Sequence, residues 1–71
     1  MLKNKDMETT LTTTYTQAEL DGNYGDDLFA HDDLTNQFKE DNPDANITST
    51  VGSSEDNEDG TYTYTITIRY E

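Results

Sequence analysis

The chain has no cysteine, only one histidine, and only four lysine and arginine residues among its 71 residues. Without cysteine, no disulfide and no cysteine-ligated zinc site can reinforce the fold. A single histidine also argues against a histidine-rich metal cluster. A domain of this length buries only about 60% of the surface that its unfolded chain exposes. We therefore predict a fold that rests on regular strands and one well-packed helix, or on association with another chain.

Long apolar stretches are absent too. No run approaches the roughly 20 apolar residues that a membrane-spanning helix requires. The basic segment at residues 1–5 is not followed by an apolar region, which argues against a signal peptide. We therefore expect a soluble protein located in the cytoplasm, with no membrane association.

Positively charged residues are scarce in this chain, whereas negatively charged residues are abundant. Sixteen Asp and Glu residues give the chain a formal net charge of −12. Such a field repels nucleic acids and anionic membranes and attracts cationic surfaces. The composition therefore argues against direct binding to nucleic acid and favours a cationic partner.

The clearest pattern in the sequence is a strict alternation over residues 61–70. Tyr and Ile occupy every second position, and Thr and Arg occupy the positions between them. Ten alternating residues of β-branched and aromatic types predict a strand with one face on a core and the other in water. This pattern is typical of an antiparallel sheet that is covered on one side.

Two weaker strands are predicted as well. Residues 46–51 form one, with Ala45, Ile47 and Val51 in phase on the core side. Residues 52–60 then read as a long acidic loop that ends in a turn-favouring Asp-Gly pair. The other strand covers residues 7–15, with Met7 and Leu11 in phase with Tyr15. Tyr15 and Tyr24 are each expected at an edge of the core, with exposure of one of them in an interface as the alternative.

The segment between the first two strands has helical signals. Residues 16–19, Thr-Gln-Ala-Glu, match a capping box that opens a short helical turn through Leu20, before the helix-breaking glycines at 22 and 25. Asp26 or Asp27 can cap a longer helix. That helix is expected to end near residue 41, before the proline at 43. Its apolar stripe, with Phe29 beside it, consists of Leu28, His31, Leu34 and Phe38.

The predicted fold class is α+β, in the order β-α-β-β. We expect a three-stranded, mainly antiparallel sheet in strand order 1-3-2, with one main helix on one face. Residues 1–71 form a single acidic domain, with residues 1–6 flexible. Because the first and second strands lie at the edges, the threonine-rich first strand offers a site for a homodimer.

The acidic residues occur as pairs that the helix and the hairpin would expose. Carboxylates spread over one surface can imitate the phosphates of DNA toward a basic groove. An acidic surface that only adapts a structural domain to high salt is an equally weighted alternative. The residues predicted to bind the partner are Asp26, Asp27, Asp32, Asp33, Glu40, Asp41, Glu55, Asp56, Glu58 and Asp59.

The sequence offers little for catalysis or for a cofactor. His31 lies in the helix stripe, where a lone histidine is usually a packing residue, and no nucleophile is placed beside it by the sequence. Glu55, Asn57 and Asp59 match part of a calcium-binding loop, but the required glutamate at the twelfth position is Ile66. We therefore predict no enzyme activity, no cofactor and no dedicated metal site.

In its size, its lack of cysteine and its acidic pairs from Asp26 to Asp59, the chain resembles the small acidic phage proteins that mimic DNA, such as anti-CRISPR proteins. The resemblance covers composition along the chain and includes no diagnostic motif. It implies an inhibitor whose acidic surface occupies the nucleic-acid site of a basic protein. For a phage-encoded chain, the expected location is the cytoplasm of the host cell.

Overall fold

The computed structural model describes residues 6–71, so the flexibility expected for residues 1–6 falls almost entirely outside it. Three strands and two helices follow one another along the chain. They are β1 (Met7–Thr16), α1 (Gln17–Gly22), α2 (Leu28–Asp41), β2 (Ile47–Asp56) and β3 (Thr61–Tyr70).

The three strands form one antiparallel sheet in the order β1-β3-β2. β1 pairs with β3 over ten consecutive residue pairs, from Met7–Tyr70 to Thr16–Thr61. β2 pairs with the other edge of β3, as the hairpin pattern predicts. The predicted fold class and strand order are therefore confirmed, and the most apolar strand lies in the centre of the sheet.

A thin core lies between α2 and one face of the sheet. Its buried residues come from β1, α2 and β3 and are Tyr15, Ala30, Leu34, Phe38, Tyr64, Ile66 and Ile68. The ring of Phe38 packs edge-on against Tyr70, with centroids 4.7 Å apart. The predicted helix stripe is correct at Leu34 and Phe38. It is wrong at Leu28, which is 57% exposed, because the first turn of α2 buries Ala30 instead.

The structure corrects the prediction for β2 in two ways. The strand continues to Asp56, so the expected long loop shrinks to residues 57–60. A register irregularity between Ile47 and Ser49 also shifts the alternation by one residue. Because side chains alternate between the two faces of a sheet, this shift turns Val51 away from the core, and its side chain is 69% exposed.

The predicted helix ends agree closely with the structure. The Thr16 side chain accepts the Glu19 backbone N–H at 3.1 Å, and the Glu19 carboxylate accepts the Thr16 N–H at 2.9 Å, which completes the capping box. α1 continues two residues beyond the predicted turn, to Gly22. α2 ends at Asp41 as predicted.

At the two ends of β1 the predicted burial is reversed. Tyr15, expected at an edge, is buried, and its ring stacks on Tyr62 with centroids 5.4 Å apart. Met7, expected to be in phase with the core, is exposed. In the described chain, no helix is both long and apolar enough to cross a bilayer.

Candidate acidic interface

One end of the sheet gathers the turn between β2 and β3 and the start of α1; we call it the hairpin end. The backbone N–H of Gln17 donates to the Gly60 carbonyl at 3.1 Å, and the Tyr62 hydroxyl donates to the Gln17 side chain. Phe29, in the first turn of α2, packs against Tyr15. The first turn of α2 therefore lies over the same half of the sheet.

The turn at the hairpin end is built by its own polar side chains. Asp56 accepts the Glu58 N–H at 2.8 Å, and Asp59 accepts the Thr61 N–H at 3.0 Å. The Thr61 hydroxyl, followed by the Thr61 N–H, lowers the pKa of Asp59 below its ordinary value of 3.8. Two of the predicted binding residues therefore stabilise the turn, and the lowered pKa keeps Asp59 ionised at neutral pH.

The two aspartates that precede α2 differ in their surroundings. Asp26 accepts the Leu28 N–H at 2.9 Å, so it supplies the bond that satisfies the start of the helix. Asp27 occupies the N-cap position but makes no such side-chain bond. Burial raises the pKa of Tyr64, and the negative charge of Asp27 raises it further. Asp27 is half-buried, whereas Asp26 is exposed.

α2 carries four more of the predicted residues, and all four are exposed. Asp33 and Glu40 are seven residues apart, which is about two helical turns, so they share one flank of the helix. Asp32 is rotated by about 100° from Asp33 around the helix axis and follows His31 in sequence. Asp41 is the last residue of α2. α2 therefore extends the negative surface along the molecule instead of adding to one cluster.

The structure thus divides the ten predicted residues into two groups. Around the hairpin end and the first turn of α2, which covers that half of the sheet, lie Asp26, Asp27, Glu55, Asp56, Glu58 and Asp59. Along α2, toward the opposite end of the sheet, it places Asp32, Asp33, Glu40 and Asp41. Glu19 and Asp21 of α1 also lie near the hairpin end, and the sequence analysis did not select them.

The carboxylates are largely free of cationic neighbours. Among residues 6–71 the ion pair between formally charged side chains is Arg69 with Glu8, at 3.1 Å. The His31 ring lies 3.7 Å from the Asp32 carboxylate. All sixteen carboxylate side chains of the sequence belong to this part of the chain, together with Lys39 and Arg69. Apart from that of Glu8, their charge is therefore not neutralised by an arginine or lysine of the described chain.

The face of the sheet opposite α2 is almost uncharged; we call it the threonine face. The threonines of β1 and β3 that form it stand directly opposite one another and are Thr10, Thr12, Thr14, Thr16, Thr61, Thr63, Thr65 and Thr67. The strand residues on this face include two carboxylates, Glu8, which is paired with Arg69, and Glu55. The negative charge is therefore segregated to the helix side and to the ends of the sheet.

His31 has a partner that the sequence did not reveal. Its Nε2 atom lies 3.2 Å from the Thr50 hydroxyl, on the neighbouring strand β2. Its Nδ1 atom is buried and has no hydrogen-bond partner, and the Asp32 carboxylate 3.7 Å away is beyond hydrogen-bond distance. His31 is thus held as a packing residue that joins α2 to β2.

A metal site requires several ligand side chains that lie close together. Nowhere in residues 6–71 do three or more His, Asp or Glu side chains converge closely enough to hold a metal ion. In the partial calcium-loop match, Asn57 donates to the hydroxyls of Thr61 and Thr63, at 3.1 and 3.0 Å. These side chains are already used by the turn.

One exposed aromatic residue was not among the predicted partner-binding residues. Tyr24 follows α1, and its side chain is fully exposed. The sequence signal was its position in a loop of Gly, Asn and Asp, outside the apolar patterns of the strands and of α2.

Comparisons with family models, with curated proteins and with solved structures find no match to this chain. Its function is therefore argued from its own surface.

Proposed function

We propose that this protein is an acidic binding module that occupies the nucleic-acid site of a basic protein by imitating the charge of a nucleic acid. The observation that supports this most directly is the set of exposed carboxylates without cationic partners, among which Glu55 is the strand residue that lies on the threonine face. On this proposal the protein is a competitor and has no catalytic role.

The shape of the molecule also supports imitation of a nucleic acid. The chain is elongated, measuring 51 × 19 × 17 Å. With a net charge of −12, this gives about one negative charge per 4 Å of length, close to the 3.4 Å spacing of one DNA strand and about half the density of a duplex. We therefore favour a target site that holds one strand at a time.

The test is competition for a nucleic-acid site. The immobilised chain is incubated with nuclease-treated lysate and eluted with rising salt, and each captured protein is purified and bound to a labelled single-stranded oligonucleotide. We expect the chain to displace the oligonucleotide, less effectively as salt rises, because charge complementarity acts chiefly on the rate of encounter. Captured proteins that bind no nucleic acid would contradict the proposal.

A matched pair of variants separates a defined surface from net charge alone. The test variant carries Glu40→Gln, Glu55→Gln and Glu58→Gln, none of which holds the turn together. The control carries Asp6→Asn, Asp44→Asn and Glu71→Gln, and so loses the same three charges. The test variant loses three ion pairs with the partner, each worth about 0.2–1 kcal/mol. Its competition should therefore be weaker on the order of tenfold. Equal weakening in both variants would contradict a positioned interface.

A homodimer through β1 is the second candidate, because the two edges of the sheet differ. β1 pairs with β3 without a break and carries one charged side chain, Glu8, which Arg69 already binds. β2 is irregular after Ile47 and ends with two carboxylates. An unprotected, weakly charged edge is suited to pairing with another strand.

Sedimentation at several protein concentrations tests the dimer. Dissociation should be favoured by Thr12→Lys, which places like charges at the edge where two copies of β1 would meet. Thr65→Lys is the control, since Thr65 stands opposite Thr12 on the same face but on the central strand. A monomer mass at every concentration would rule out the dimer.

A further inference from the structure

The turn after α1 has the hydrogen bonds of a Schellman motif. The Gly25 N–H donates to the Leu20 carbonyl at 2.9 Å, and the Tyr24 N–H donates to the Asp21 carbonyl at 3.2 Å. In this motif the residue that follows the C-cap residue adopts a left-handed backbone conformation, and for this reason it is usually glycine. Here that residue is Tyr24, with φ of 61°.

Tyr24 is unfavourable for the fold on two counts. A left-handed conformation is strained for a side chain of this size. The ring is also 100% exposed, so no packing in the described structure offsets the strain. Strain that persists without a structural benefit points to a use outside the fold.

Two acidic residues flank Tyr24 in the sequence. Asp21 lies three residues before it, and Asp26 lies two residues after it. Asp26 uses one oxygen, Oδ1, for the Leu28 N–H, and Asp21 accepts a bond from the Gln17 side chain at 2.9 Å. An apolar partner would have to desolvate these carboxylates, whereas a cation would be attracted to them.

We propose that Tyr24 is a contact residue that stacks on an arginine side chain of the partner, while Asp26 binds the same guanidinium. Arginine suits this arrangement better than lysine because its planar group stacks on aromatic rings and pairs with carboxylates at the same time. This proposal rests on the proposed function, and it assigns the arginine contact to the turn that follows α1.

The first experiment measures what Tyr24 does to the fold. Thermal unfolding of Tyr24→Gly and Tyr24→Asn is compared with that of the parent chain. We expect a higher Tm for both variants, since glycine and asparagine tolerate the left-handed conformation. A lower Tm would show that the ring supports the fold, and it would overturn the inference.

The second experiment measures binding to an arginine-rich peptide and to a lysine-rich peptide of equal length. We expect Tyr24→Leu to weaken binding of the arginine peptide about two- to fivefold, as expected for an exposed cation–π contact, and to affect the lysine peptide less. Tyr24→Phe retains the ring and should bind as the parent does. An equal loss with both peptides, or no loss with either, would overturn the assignment to arginine.

These outcomes are separable from failure of the proposed function. If the Glu40, Glu55 and Glu58 variant no longer displaces the oligonucleotide while Tyr24→Leu binds both peptides normally, the proposed function stands and the role of Tyr24 is wrong. If that triple variant competes as well as the parent, the charge-imitation proposal itself is overturned.

Discussion

Gly52 occupies a position on β2 where a side chain has no room. A Cβ atom there would lie 2.6 Å from Cζ and 2.9 Å from Cε1 of Tyr64, whose ring is buried in the core. The ring of Tyr64 therefore lies across the backbone of the edge strand, and the absence of a side chain at Gly52 makes this possible.

Replacing Gly52 with alanine should accordingly destabilise the protein. Overpacking costs about 1–3 kcal/mol, and we expect the upper part of that range because an aromatic ring must move. Denaturant unfolding measures the loss. Gly22→Ala is the control: nothing lies within 4 Å of the added atom, so a change near zero or a small gain is expected.

A double variant tests the cause. Adding Tyr64→Leu to Gly52→Ala removes the clash, so the two changes together should cost less than the sum of the single changes. Additive costs would mean that the loss at Gly52 arises from the backbone and not from the ring of Tyr64.

The turn between β2 and β3 depends on Asp59 and Thr61. Because the pKa of Asp59 is lower in the folded chain than in the unfolded chain, its contribution to stability is present above pH 3.8 and is lost as the pH falls through the folded-state pKa. Thr61→Val removes the hydroxyl that contributes most to this shift, so the pKa of Asp59 should move back toward 3.8.

A carboxyl NMR titration of Asp59 measures that change. Thr65→Val is the control, since it makes the same substitution on the same strand and face but away from the turn. An unchanged pKa of Asp59 in Thr61→Val would show that backbone N–H groups alone hold the carboxylate.

The whole molecule combines a thin core with a net charge of −12. Self-repulsion between the carboxylates opposes folding, and salt reduces it within a Debye length of about 8 Å at 0.15 M. We therefore expect the Tm to rise with KCl, while the protein remains folded at about 0.15 M. Circular dichroism against KCl measures this.

The same experiment decides between the two explanations of the acidity. Loss of the fold below salt concentrations on the order of 1 M would indicate adaptation to high salt. The folded state would then require salt to screen the repulsion between its carboxylates. A stable fold at about 0.15 M salt supports the use of the charge for binding a partner.

Local periodicity was sufficient to predict much of this fold. The alternation of β3, the capping box at Thr16 and the end of α2 before Pro43 all depend on residues close together in the chain, and the structure agrees with each prediction. The strand order followed because the most apolar strand is best buried at the centre of the sheet, between two neighbours. The acidic surface was visible in the composition alone.

Long-range pairing decided the rest. The exposure of Val51 follows from a register shift against β3, and the contact of His31 with Thr50 joins elements that are nineteen residues apart in the chain. The division of the carboxylates between the hairpin end and α2 also required the packed arrangement. Sequence periodicity reports which residues can share a face, whereas the register between strands and the packing of α2 determine which side chains actually meet.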